Sequence, residues 1–145
     1  MNNNQAATNV GCVTAVHGSV VDVHFPEQLP SIRHLLRAGA QQQIALEVLT
    51  QLDDAHVRAI ALNPTEGLAR GSAVTDTGAP LLAPVGKAIL SRMFDVFGKP
   101  IDLQPAPLDV QWRSVHHAPP ALASRSTHEE VFTTGIKVID VLVPL

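Results

Sequence analysis

The stretch Val20-Val21-Asp22-Val23-His24-Phe25 alternates strictly, with Val21, Val23 and Phe25 on one face and Asp22 and His24 on the other. That period of two marks a half-buried strand. Upstream, Cys12-Val13-Thr14-Ala15-Val16-His17 is also rich in β-branched residues, and only Gly18-Ser19 separates the two runs. A two-residue link with Gly first suits a type II′ turn, because Gly tolerates the positive φ required there. Residues 10–25 are therefore expected to form a β-hairpin.

Phe25-Pro26 closes the hairpin, and residues 26–42 are expected to be a loop with one helical turn at Ser31-Ile32-Arg33-His34-Leu35-Leu36. Strand patterns resume at Ile44–Leu49 and Val57–Leu62, on either side of a turn at Asp53-Asp54-Ala55. Asn63-Pro64-Thr65-Glu66-Gly67 has turn composition, and a last short strand is expected near Ala73–Asp76. Five or six short strands with no long helix among them point to a mainly β fold, a small closed antiparallel barrel. Closure removes the edges that invite aggregation.

The texture changes after Gly78-Ala79-Pro80, and a boundary is expected near residue 80. Ala88, Ile89, Arg92 and Met93 fit a short helix with one apolar face, and Phe94-Asp95-Val96-Phe97 alternates like a strand as far as Gly98-Lys99-Pro100. Residues 100–120 hold several prolines and little periodicity, so an extended, irregular connector is expected. Ile136, Ile139 and Val143 stand at helical spacing before Pro144, which would end the turn. The division expected is a disordered start over residues 1–9, a barrel over 10–80, and a connector with the start of a further domain over 81–145.

Hydrophobic residues make up 46% of the chain and charged ones 16%, which argues against disorder and suggests that some of the surface meets protein rather than water. With a formal net charge of −3 there is no basic field to draw in nucleic acid or an anionic membrane. Cys12 is the single cysteine, which rules out an internal disulfide and fits a reducing compartment. The opening residues resemble neither a secretion signal nor a transit peptide, and no apolar stretch approaches the ~20 residues a membrane helix needs. A soluble, cytoplasmic protein is expected, meeting a membrane only through partners.

Several residue groups invite a chemical reading. No two glycines stand five apart, so Gly-x-x-x-x-Gly-Lys-[Ser/Thr] is absent, and so is Gly-x-Gly-x-x-Gly. A triphosphate needs backbone N–H groups bared by such glycines, with a Lys and a hydroxyl following. His116-His117 suggests a metal, but neighbours in an extended chain point to opposite sides; His17 and His24 flank the hairpin turn and could lie close in space. Without a second cysteine or a His-Glu-x-x-His helix, surface histidines are the better reading. Cys12 beside His17 could be a nucleophile, yet a strand cysteine is more often a small buried hydrophobe. Glu129-Glu130 fits a solvated loop or a helix start, and Trp112 has no aromatic neighbours with which to stack bases. No catalytic, cofactor-binding or metal-binding residue is assigned.

In order and spacing, these segments resemble β subunits of F-type ATP synthases. The resemblance runs through Gly11–Pro26, Ile44–Val48, Val57–Leu62, Thr65-Glu-Gly-Leu-Ala-Arg-Gly71, Asp76-Thr-Gly-Ala-Pro-Leu-Leu-Ala-Pro-Val-Gly86, Phe94-Asp-Val-Phe-Gly-Lys-Pro-Ile-Asp102 and Thr134–Pro144. The chain departs from the family in having no Tyr, in carrying Lys99 where an acid is common, and in matching loosely over 121–132, which suggests a divergent bacterial form. The resemblance implies a barrel of about six strands at the crown of an alternating α/β hexamer, followed by an incomplete lead-in to an α/β P-loop nucleotide-binding domain. It also implies that the phosphate loop and the catalytic residues lie past Leu145, that Mg-ATP or ADP belongs to the full subunit, and that α subunits and a central stalk are partners. By the same resemblance the complex sits peripherally on the inner face of the bacterial membrane. The other reading, from the barrel alone, is a truncated or free-standing small β-barrel acting as a protein-binding module without catalysis.

Overall fold

The computed structural model describes residues 9–125 and 131–143. Strand β1 (Val10–His17) turns through Gly18-Ser19 into β2 (Val20–His24). Gly18 has φ +63, and Ser19 is not among the residues with positive φ, the combination a type II′ turn requires. The barrel continues with β3 (His34–Ala38), β4 (Ile44–Gln51), β5 (His56–Ala61) and β6 (Ala73–Pro80). All six strands pair antiparallel in the closed order β1-β2-β5-β4-β3-β6.

The inside is filled by alternate residues of every strand: Val13, Val21, Val23, Leu36, Ala38, Ile44, Leu46, Val48, Val57, Ala59 and Val74, with Phe25 and Leu68 closing it. Each fully buried Val, Leu or Phe side chain is worth roughly 1.5–3 kcal/mol relative to exposure. A bulge in β1 between Val13 and Ala15 shifts the pairing by one residue, so that Val16, rather than Ala15, packs toward the core opposite Val21. Thr14, at the bulge, donates its hydroxyl to the carbonyl of Asp22 at 3.0 Å.

The helical turn expected at Ser31–Leu36 is instead a tight turn followed by β3. The N–H of His34 donates to the carbonyl of Ser31 at 3.1 Å, and Arg33 takes φ +72. Leu36 faces the interior while Leu35, on the outer side, is also buried. Both faces of this strand are covered, which erases the alternation that would have marked it.

After the barrel, β7 (Leu82–Val85) pairs antiparallel with β8 (Gln111–Ser114) in a two-stranded sheet. Residues 100–120 are thus not a wholly irregular connector, since β8 lies within them. The short helix expected around Ala88–Met93 is a single 3₁₀ turn at Lys87–Ile89 with no buried residue. Phe94–Phe97 is not a strand: Phe94 makes one isolated bridge with Pro100, and Asp95 nucleates the turn between them by accepting from the N–H groups of Phe97 and Lys99 at 2.9 and 2.8 Å. Helix α1 (Lys137–Leu142) holds Ile139 of the expected spacing, with Ile136 and Val143 as its flanking caps, and buries none of its residues. Pro144 and the expected loop at Glu129-Glu130 lie outside the described residues, as do positions 1–8 of the expected disordered start. Asn9 is held in place, its side-chain amide donating to the carbonyl of Gln28 at 2.8 Å.

Candidate functional site on the barrel wall and its flank

The outer wall of the barrel is polar and cross-linked between strands. Arg58 on β5 grips Asp22 on β2 with two parallel hydrogen bonds of 2.8 and 2.9 Å, and this guanidinium holds the Asp22 carboxyl below its usual range. His34 on β3 donates from Nδ1 to Asp76 on β6 at 3.1 Å. Asp53 accepts from the backbone N–H groups of Ala55 and His56, both at 2.8 Å, and from Nδ1 of His56 at 2.9 Å. The Ala55 bond, then the His56 ring, lower its pKa.

The two-stranded sheet and the turns around it form a flank lying against β3 and β4. Nε2 of His116 donates to Glu47 at 3.2 Å, and the Arg37 guanidinium sits 5.5 Å over the ring of Phe97. Within the flank, Arg92 is bidentate to Asp102, also donates to the carbonyl of Pro105 at 2.9 Å, and lies 5.8 Å over Phe94. That contact drives the Asp102 pKa far below the ordinary carboxylate range. Trp112 packs over Gly98, where an added Cβ would come within 2.7 Å of the indole, and Pro84, Phe94 and Val110 line an apolar hollow around it.

Most of the large exposed apolar side chains lie in this second half: Leu90, Met93, Val96, Ile101, Leu103 and Leu108 in the turns, and residues 131–143 around α1. Large apolar side chains left exposed are thus concentrated outside the barrel.

The histidines and the cysteine fall as follows. His17 and His24 are not brought together, because the hairpin register pairs His17 with Val20 next to the turn and His24 with Cys12 at the far end. His116 reaches the barrel while His117 donates from Nδ1 to the carbonyl of Ala118 at 2.9 Å, so the two rings make different contacts. Cys12 is half-buried on the outer face. Among the described residues no three or more His, Cys, Asp or Glu side chains converge as a metal-binding group. Sequence reasoning missed two features: the Arg92–Asp102 clamp, and the contact of His24 with His56, whose ring centroids are 4.8 Å apart. Neither carries a local pattern, since both depend on which strands and turns become neighbours.

A closed six-stranded antiparallel barrel followed by a two-stranded sheet defines the chain as a small β-barrel domain with an appended flank. The family described as ATP synthase alpha/beta family, beta-barrel domain, matches residues 13–78. The chain belongs to that family. Over all 145 residues it is 61% identical to ATP synthase subunit beta 2 of Shewanella frigidimarina, covering 100% of this chain and 31% of that protein. It is 66% identical over 139 residues to ATP synthase subunit beta 2 of Polaromonas naphthalenivorans, covering 96% of this chain and 29% of the relative. With ATP synthase subunit beta 2 of Albidiferax ferrireducens it shares 63% identity over 145 residues, 100% of this chain and 28% of the relative. The chain thus spans less than a third of the length of these relatives and matches their N-terminal part. Among the described residues, no helix is long and apolar enough to cross a membrane.

Proposed function

We propose that this chain is the N-terminal part of the β subunit of a rotary, ion-driven ATP synthase, which makes ATP from ADP and phosphate. Residues 10–80 serve as the crown barrel through which β subunits alternate with α subunits in a ring, and residues 81–145 lead into a nucleotide-binding domain. In this reading the 145 residues hold no catalytic residue and no Mg-ATP site of their own. A central stalk and the membrane are reached only through the assembled complex, at the inner face of the cell membrane. The observation that carries the reading is 61% identity sustained across the whole chain with a β subunit, barrel and flank alike. The apolar flank supports it, because such a surface fits continuation into further protein.

The test is a chimera in which this chain replaces the corresponding N-terminal part of the Shewanella frigidimarina subunit, produced together with that organism's α subunit. The expected outcome is a ring that hydrolyses ATP, while the 145-residue chain alone gives no binding heat with Mg-ATP. A well-folded chimera that fails to join α subunits would overturn the assembly role. Saturable Mg-ATP binding by the chain alone would overturn the assignment of nucleotide chemistry elsewhere.

A further inference from the structure

The β2–β5 ladder pairs residues whose numbers sum to a constant, from Val20 with Ile60 to His24 with His56. The N–H of Phe25 donates to the carbonyl of Ala55 at 2.7 Å, and that of Ala61 to the carbonyl of Ser19 at 2.7 Å. These are the hydrogen-bonded pairs. By alternation His24 and His56 form a non-hydrogen-bonded pair, the register in which opposed side chains approach most closely. Both point outward, since Val23 and Val57, the neighbouring pair, face the core. Their rings stand 4.8 Å apart at 49° to one another.

Nδ1 of His56 donates to Asp53, whose carboxylate is itself fixed by two backbone N–H groups. A carboxylate can only accept, so the proton sits on Nδ1 and the Nε2 lone pair is left available. A carboxylate behind a histidine is the arrangement that orients and strengthens a metal-binding imidazole. The next outward-facing pair along the ladder is Asp22–Arg58, whose guanidinium is already satisfied by Asp22 and leaves little net positive charge to repel a cation.

We propose that His24 and His56 form a two-histidine chelate for a divalent transition-metal ion of the zinc, nickel or copper type, with Asp53 as the orienting group. Two imidazole nitrogens at ~2.0–2.1 Å from one tetrahedral ion lie ~3.3 Å apart, a separation compatible with two tilted rings whose centroids stand 4.8 Å apart. With only two protein ligands, water fills the other positions, and imidazole donors select these ions over magnesium or calcium. The ion would staple β2 to β5 across the barrel wall, and binding to the folded state alone raises stability with ion concentration.

The experiment is a titration of the 145-residue chain with Ni²⁺ or Zn²⁺ alone, followed by calorimetry and by thermal unfolding. One ion per chain is expected, with a concentration-dependent rise in Tm. Either His24→Asn or His56→Asn should weaken binding at least tenfold, and Asp53→Asn should weaken it by about tenfold. His117→Asn should leave it unchanged. Fold-independent support comes from the unaltered chain, in which trace Cu²⁺ should broaden amide signals of residues 22–25 and 53–57 first. Broadening centred elsewhere, or affinity that survives loss of both histidines, would overturn the proposal.

Discussion

At the scale of single residues, the tightest constraint is steric. Gly11 lies where an added Cβ would come within 2.4 Å of the carbonyl oxygen of His24 and 2.9 Å of the Phe25 ring, and Phe25 is fully buried. Because one of those neighbours is backbone, relief means moving β2. Gly11→Ala is expected to destabilise the barrel by about 1–3 kcal/mol, read from the urea midpoint. The carboxylates give a second prediction, in pH. Asp22 and Asp102 are held below their ordinary value by Arg58 and Arg92. Near and below that ordinary value, ~3.9, the unfolded chain takes up protons that the folded chain refuses. Their contribution is therefore complete above it and is lost as pH falls through the lowered folded-state values. Asp22→Asn should narrow the difference in urea midpoint between neutral pH and pH ~3; an unchanged difference would show that the Arg58 pair does not contribute. The hairpin residues announced themselves by alternation, whereas Gly11 and the Arg92–Asp102 pair did not, because what they touch is decided by chain segments brought near them only by folding.

Elements differed in legibility according to how they are covered. The hairpin of β1 and β2 and the strand β5 have one wet and one dry face along most of their length, so their sequences alternate, and together with the apolar run of β4 the closed barrel could be inferred. β3 hid because the flank covers Leu35 from outside while Leu36 fills the interior, and a Leu-Leu pair of good helix formers reads as a helical turn. β8 hid for the opposite reason: Gln111, Trp112 and Arg113 are exposed, and the strand is fixed by pairing with β7 and by the seat of Trp112 over Gly98. Helix α1 is six residues long and buries nothing, well short of the ~12–15 residues at which isolated helices become even marginal. In hydrogen exchange on the 145-residue chain, the amides of Val21, Val23 and Val57 are expected to be protected to near the global stability, and those of Ile139 and Asp140 to exchange at almost the free-peptide rate. Protection of α1 equal to that of the barrel would mean that the helix is covered by something these contacts do not include.

At the scale of the whole molecule, the two halves bury their apolar residues to different degrees. The barrel encloses Phe25, Leu36, Ile44, Leu46 and its valines almost completely, while the flank leaves Leu103 and Leu108 at 102% and 103% of full exposure. Fully solvated side chains contribute no burial to folding, so replacing them removes nothing from the folded state. They do contribute to association, since each would shed water on contact with another surface. Leu103→Gln with Leu108→Gln is therefore expected to change the unfolding free energy by no more than about 0.5 kcal/mol. In sedimentation velocity the same variant should self-associate less than the unaltered chain at matched concentration. The two readouts separate the roles of this surface: loss of stability would place Leu103 and Leu108 within a packed flank. Unchanged stability with reduced association identifies them as contact surface.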